Sequence, residues 1–509
     1  MAGVQWTMHD DRAVADLLDQ VSADPLGHVS SSLYETARLL VLAPWLTGHA
    51  ARLRFLLSTQ NADGSWGAPD GYGLVPTLSA TDALLTLLRR AEPVDRQAVA
   101  ASAQRGLARL TDWLATGTRV SIPDTIAAEL IVPWLVDELN AHRDQPPTGV
   151  PRWPALGLPS NIDDRTRTKL HRMVRSGQTI PEKAWHSLEA FGADARRAAL
   201  VRPSHGVVCG SAAATAAWLG DRSAHEAAGF LDHLQSLDNG PVRGITRIAV
   251  FETAWVVSML ADAGVPLPRG FASRLRDACA DTGAPAGAGL PADGDDTAAV
   301  LYALSRLGEP GPVEILWSYE GAEHFHCFPQ EQTPSISANA HILDALGEYA
   351  RPGEPRFAAA IGKITGYLLA EQRADGSWQD KWHASPYYAT TCCAQALHRT
   401  GGPGAERAVA RALDWVLDTQ RDDGSWGRWQ GTAEETAYAV QLLLLCGGDE
   451  DAATRAADFL RAADDHHPPL WHDKDLYTPI TVVRAARLAA LRLIATRTRS
   501  TTMALGVIP

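Results

Sequence analysis

The sequence predicts an all-helical protein of helix pairs around an apolar inner ring, on three observations. Strand-like alternation is scarce, while apolar residues recur at helical spacing, as in Ala80–Leu88, Thr253–Leu260 and Ala437–Leu444. An acidic residue followed by Thr-Ala opens an apolar helix four times, at Glu35, Glu252, Asp296 and Glu435. A Gln-x-x-Asp-Gly-Ser-Trp segment occurs three times, beginning at Gln60, Gln372 and Gln420.

Gly, Pro and Asp clusters separate the apolar runs, so the connections are read as short. In the first repeat a carboxylate and a threonine stand at each helix start, where they suit capping. They can accept hydrogen bonds from unpaired backbone N–H groups, and the carboxylate favours the positive end of the helix dipole. The apolar remainder of each segment implies burial on most sides, as in the inner ring of a barrel. In the second repeat Asp-Gly makes a tight turn, Gln can bond backbone across it, and Trp packs onto the neighbouring helix. Turn chemistry repeated in this way marks architecture rather than catalysis.

The chain of 509 residues is long enough for two or more domains and a large core. With 46% hydrophobic and 21% charged residues, its composition is that of a soluble globular protein. A formal net charge of -13 argues against a nucleic-acid partner, which needs a basic face. A phosphorylated small molecule needs only a few local cations and stays open. Trp outnumbers Phe 16 to 9, partly through the repeats and partly, on this reading, to line an apolar pocket. The six cysteines show no CxxC pair and no metal spacing, and read as small buried apolar residues in a reducing compartment. No basic region followed by an apolar run opens the chain, and no stretch approaches the roughly 20 apolar residues of a membrane span. A cytoplasmic location is expected.

The chemistry is concentrated at Asp293-Gly294-Asp295-Asp296, just before an apolar helix. Three ionised carboxylates this close repel, so at least one should hold its proton, and burial would strengthen that. A carboxylic acid kept protonated at neutral pH is what an unactivated alkene, a very weak base, requires. The competing reading is a solvated acidic turn or a calcium loop. The placement of the triplet in the helix-start slot of the first repeat favours the acid.

The Gln-x-x-Asp-Gly-Ser-Trp segments resemble the QW motifs of the triterpene and class II diterpene cyclase superfamily, and the acidic triplet resembles the DxDD of its class II members. Ser32–Ala37 resembles the S-x-Y-D-T-A helix of plant copalyl diphosphate synthases and their bacterial relatives. Tyr319–Phe328 is similar to their E-G-x-F-F-C-F stretch, Ser337–Leu343 to the helix after it, and Trp471–Tyr477 to their W-x-x-K-x-L-Y segment. The resemblance implies two double-ringed α-barrels in a βγ didomain, with the active site between them. The γ domain would occupy 49–264, inserted into a β domain of 1–48 plus 265–509. It implies Asp295 as general acid, tuned and oriented by Asp293 and Asp296. The implied reaction protonates geranylgeranyl diphosphate and closes two rings to a copalyl-type labdane diphosphate, leaving the diphosphate in place.

Lys169-Leu170-His171-Arg172 followed by Trp185–Glu189 resembles the plant segment K-L-x-R … L-H-S-L-E, which gives Lys169 a role in holding the diphosphate. His186 matches a histidine that in plant enzymes of the ent series joins an asparagine in the final deprotonation, but the asparagine position falls on Gly244. His186 is read as the base itself, as acting through a water, or as a satisfied core histidine. Arg172, Lys381 and Lys474 are further diphosphate candidates, and Trp382, Tyr388 and Trp471 are candidates for stabilising the migrating cation through their faces. Magnesium is expected with the diphosphate. The family's acidic magnesium segment would fall at Gly117–Ser121, which has no carboxylate, leaving Asp124 and Glu129 as substitutes.

Neither a DDxxD segment in a helical setting nor an N-D-x-x-S-x-x-x-E pattern is found; Asp10-Asp11 and Asp163-Asp164 come nearest and lack the further acid. The diphosphate should therefore survive into the product, to be consumed by a separate class I synthase. A homodimer is left open. Rival readings are farnesyl diphosphate going to a drimane skeleton, a squalene-hopene type cyclase, a non-catalytic α-toroid binding module, and a protein prenyltransferase subunit. The last needs a zinc set of Asp, Cys and His that the sequence does not display.

Overall fold

The computed structural model describes residues 5–504 apart from 91, 115–120, 199, 330, 332, 352, 465 and 466. The chain begins with α1 (Met8–Ala23), started by a Thr7–Asp10 capping box. It then enters a first helical domain: α2 (Leu33–Leu42), α3 (His49–Ser58), α4 (Leu74–Arg89), α5 (Arg96–Leu114), α6 (Ala128–Asp144), α7 (Arg165–Arg175), a broken 3-10 segment over Glu182–Arg197, α8 (Ala212–Leu219) and α9 (His225–Leu237). The second domain follows with α10 (Ala249–Asp262), α11 (Gly270–Ala278), α12 (Gly294–Arg306), α13 (Ile336–Tyr349), α14 (Pro355–Glu371), α15 (Pro386–Thr400) and α16 (Ala405–Asp418). It ends with α17 (Ala433–Leu445), α18 (Glu450–Arg455), α19 (Ala457–Ala462) and α20 (Ile480–Ala504). Two small hairpins, β1 (Ala284–Pro285) with β2 (Ala292–Asp293) and β3 (Trp471–His472) with β4 (Leu476–Tyr477), face the junction.

Each domain closes on itself. In the second, α10, α12, α13, α15, α17 and α20 pack each on the next, and α20 returns to α10. The helices between them, with α1, form the outer layer. In the first, α2, α4, α6, the 3-10 segment and α8 close an inner ring of five. Separate apolar cores fill the two barrels, around Val257, Leu301, Leu343 and Leu443 in one and Leu40, Leu78, Leu84 and Leu135 in the other. No helix among the described residues is long and apolar enough to cross a membrane.

The boundaries differ from those read in the sequence. α2 lies in the inner ring of the inserted barrel and α10 in that of the other, so the insertion runs from α2 to α9 rather than over 49–264. The reason is the repeat itself. Glu35-Thr36-Ala37 and Glu252-Thr253-Ala254 announce an inner helix equally well in either barrel.

The repeats build this frame in a uniform way. Trp66, Trp378 and Trp426 are fully buried, and their indole N–H groups donate to Leu56 O, Leu368 O and Val416 O at 2.8, 2.8 and 2.6 Å. Gln60, Gln372 and Gln420 each donate from Nε2 to the glycine carbonyl of their own turn and to a carbonyl of the next outer helix. The turn glycines have φ of +88°, +96° and +83°, and a Cβ there would meet the carbonyl oxygens of Arg105, Arg411 and Arg455 at 2.4–2.6 Å. Only glycine satisfies both the backbone angle and the close approach.

The acidic repeat acts somewhat differently from expectation. The caps of α2, α12 and α17 are Ser32, Asp293 and Thr432, one turn earlier. Glu35 instead reaches across to Ser211 Oγ and Ala213 N at the start of α8, which ties one inner helix to the next.

Candidate active site

The acidic triplet is positioned by three helix-start contacts. Asp293 is extended, and its Oδ1 accepts from Asp296 N at 2.8 Å, which caps α12. Thr297 donates its hydroxyl back to Asp293 O. Gly294 donates to Cys327 O at 2.8 Å, and a Cβ on it would lie 2.6 Å from His326 O, so glycine is required by close approach.

Asp295, in the first turn, turns the other way. Its Oδ1 lies 2.6 Å from Nδ1 of His341, one turn into α13. Burial opposes charge on His341, but the Asp295 carboxylate outweighs it, so the imidazole is held well above its ordinary value. Burial, with the neighbouring Asp295 charge, pushes Asp293 up to about 7. Asp296 is raised further by burial and by Asp293, and its Oδ1 accepts no hydrogen bond from any described residue. Burial and mutual repulsion thus bias Asp293 and Asp296 toward their neutral forms on either side of Asp295.

The triplet opens onto a cavity of about 810 Å³ between the barrels, in the size range of small-molecule sites. Its wall on the second domain is aromatic. Phe251 and Trp255 have ring centroids 4.3 Å apart, Tyr388 and Trp471 4.7 Å, and Phe251 and Trp471 5.3 Å. The indole N–H groups are satisfied within and behind the wall: Trp255 Nε1 donates to Tyr388 OH at 3.0 Å, and Trp471 Nε1 to the buried Glu434 at 2.6 Å. Pi faces are thereby left for a cation. The opposite wall, from the inserted domain, carries Thr166, Lys169 and Lys183, with Asp124 and Glu129 beside them.

Of the residues singled out in the sequence, Asp293, Asp295, Asp296, His186, Lys169, Lys381, Trp382, Tyr388, Trp471, Asp124 and Glu129 all line this cavity. Lys381 is there already partnered, by Glu331 Oε2 at 2.7 Å and Thr333 O. The segment at 117–120 lies outside the described residues. Two expectations are corrected. Arg172 is exposed on α7, beyond the turn whose Thr166 and Lys169 reach the cavity, and does not line it. Lys474 is fully buried away from the cavity, with its ammonium bound by Glu35 Oε1 at 2.7 Å, Glu189 Oε1 at 2.8 Å and Ser211 Oγ at 2.7 Å. It fastens the β3–β4 hairpin to the inserted barrel and has no N–H to spare for a diphosphate.

His186 is also corrected in part. It is buried, and its Nδ1 and Nε2 lie 2.7 Å from Cys209 O and from Asp473 Oδ1. Both partners can only accept, so both ring nitrogens carry hydrogen and neither has a lone pair for a proton. Burial opposes this charge, but Asp473 prevails and holds the imidazole at about 10. His186 is therefore not itself the base.

Sequence reasoning missed His341, Phe251, Trp255, Lys183 and Asp473. His341 sits within the Ser337–Leu343 segment already matched to a family helix, and Phe251 and Trp255 flank the second acidic repeat. Asp473 sits within the Trp471–Tyr477 segment likewise matched to the family, and nothing local marks Lys183.

Residues 331–482 match the squalene-hopene cyclase C-terminal domain family. An ent-copalyl diphosphate synthase of Streptomyces sp. (strain KO-3988) is 47% identical, covering 94% of this chain and 95% of its own. A labda-7,13-dienyl diphosphate synthase of Streptomyces clavuligerus is 40% identical over 94% and 92%. Among solved structures, ent-copalyl diphosphate synthase from Streptomyces platensis superimposes with a TM-score of 0.89 at 45% identity, covering 95% of this chain and 99% of that one. The Arabidopsis thaliana ent-copalyl diphosphate synthase shares the fold, with a TM-score of 0.58 at 16% identity over 98% and 81%.

Proposed function

The chain belongs to the bacterial class II diterpene cyclases, the copalyl diphosphate synthases and their labdane-forming relatives, and on that premise we propose that it converts geranylgeranyl diphosphate to a bicyclic copalyl-type diphosphate. The observation that carries this reading is Asp295, bound by His341 on one side and facing an aromatic cavity of about 810 Å³ on the other.

In the reacting form Asp295 carries a proton on Oδ2 while Oδ1 accepts from the His341 imidazolium, and it gives that proton to the terminal alkene, which folds against the aromatic wall. The carboxylate left behind is paired with the His341 imidazolium, an interaction stronger after proton transfer than before it, and so one that lowers the barrier. The cation then moves through two ring closures over Phe251, Trp255, Tyr388 and Trp471, whose faces attract it without bonding to it. At the far wall Lys169 and Lys183 take the diphosphate as point charges.

Asp124 and Glu129 are the residues that would hold a magnesium ion there. They are oxygen donors lining the same end of the cavity, and burial followed by the neighbouring Asp124 charge raises the Glu129 carboxyl. Magnesium, when bound, would neutralise diphosphate charge. The product keeps its diphosphate and would pass to a separate ionising synthase.

The test is incubation of the protein with geranylgeranyl and farnesyl diphosphates separately, with magnesium, followed by mass spectrometry before and after phosphatase. A bicyclic diterpene alcohol released only by phosphatase is expected. A hydrocarbon released without phosphatase, or conversion of farnesyl diphosphate alone, would overturn the reading.

A further inference from the structure

The cyclisation ends when a proton leaves the bicyclic cation, and with both nitrogens of His186 occupied another group must receive it. Asp473 is 1% exposed; its Oδ1 accepts from His186, while Oδ2 accepts from no described residue. That oxygen faces Gly244. A Cβ on Gly244 would lie 3.4 Å from Asp473 Oδ2, 3.6 Å from Ser32 Cβ and 3.8 Å from Tyr477 Cβ, so the glycine leaves a space of about one methyl group beside the carboxylate. His186, Ile245 and Tyr477, which adjoin this space, all line the cavity.

We propose that Asp473 is the positioning residue for the last step, holding through Oδ2, in the hollow beside Gly244, a water that takes the terminating proton. This rests on the cyclisation proposed above. The C–H bond next to the cationic carbon breaks and its electron pair becomes the new double bond. The water oxygen takes that proton and passes one of its own to Oδ2. Asp295 has given one proton and Asp473 has received one, so the turnover is an isomerisation without co-reactant, and solvent exchange resets both carboxyls. A hydrogen next to a tertiary cation is acidic enough for a weak base, and placement matters more than strength. The imidazolium of His186 and, beyond it, Lys474 keep Asp473 anionic against its burial.

The test uses the full chain with geranylgeranyl diphosphate, comparing wild type with Asp473→Asn and Gly244→Ala. The first removes the anion, and the second fills the hollow while leaving the His186–Asp473 pair intact. Both variants should still consume substrate, while diphosphates that have gained water or carry a displaced double bond rise at least about tenfold relative to the wild-type product, one decade of altered partitioning. Asp473→Glu should return the pattern part of the way. Circular dichroism checks folding, and Gly244→Ala carries the test if Asp473→Asn does not fold. An unchanged product pattern at retained turnover, or loss of all turnover in folded variants, would overturn the proposal. Failure of the wild type to make any bicyclic diphosphate would instead reject the reaction assigned to the whole site, and this inference with it.

Discussion

Replacing His341 with alanine should slow cyclisation without unfolding the protein. Its Nδ1 is 2.6 Å from Asp295 Oδ1, and the two side chains are only 16% and 14% exposed. A hydrogen bond to a charged group contributes about 1.5–3 kcal/mol. If most of that is gained as Asp295 becomes anionic, kcat should fall roughly 10- to 150-fold. The assay is steady-state turnover of geranylgeranyl diphosphate across pH. Because Asp295 holds the imidazole well above its ordinary value, wild-type activity should decline only on the alkaline side as His341 loses its charge. That decline should shift in His341→Ala, where only the loss of the Asp295 proton remains to cause it. His341→Asn, a neutral donor, should fall between the two. A kcat within threefold of wild type in His341→Ala would show that the His341 cation does not assist proton transfer.

Asp293 makes a prediction about stability. Burial keeps it protonated in the folded state up to about 7, whereas the unfolded chain releases that proton near pH 4. Between those values the folded state binds more protons, so this group's contribution to stability falls as pH rises and then levels off. Asp293→Asn keeps the cap of α12 and removes the titration, so its Tm relative to wild type should climb from pH 4 to pH 7.5; a constant gap would contradict this. Lys474→Ala should lose about 3–5 kcal/mol in chemical denaturation, because it strands Glu35 and Glu189 in the interior. Lys169→Ala should leave denaturation unchanged and raise KM, since its exposed ammonium only lines the cavity.

Much of the frame was legible because it is written in contiguous residues. The three tryptophan turns have the same hydrogen bonds in space as they have letters in sequence, and the acidic triplet occupies the helix-start slot its neighbours predict. Features built from distant segments were not legible. His341 is 46 residues from Asp295, and the carboxylate partners of His186 and Lys474 lie 287, 285 and 439 residues away. A lysine between two aspartates reads as a surface or ligand cation until the fold brings Glu35 and Glu189 to it. The domain boundary failed for a related reason, since an acidic-Thr-Ala helix start declares an inner helix and not its barrel.

In the proposed reaction Asp295 delivers the initiating proton. The measurement is mass-spectrometric location of deuterium in product formed in D2O by wild type and by folded Asp295→Asn. A single deuterium is expected in the wild-type product on the ring carbon that was the terminal alkene CH, with the diphosphate retained, and no product is expected from Asp295→Asn. A wild-type product without that deuterium, or the same deuterated product from Asp295→Asn at comparable rate, would contradict it.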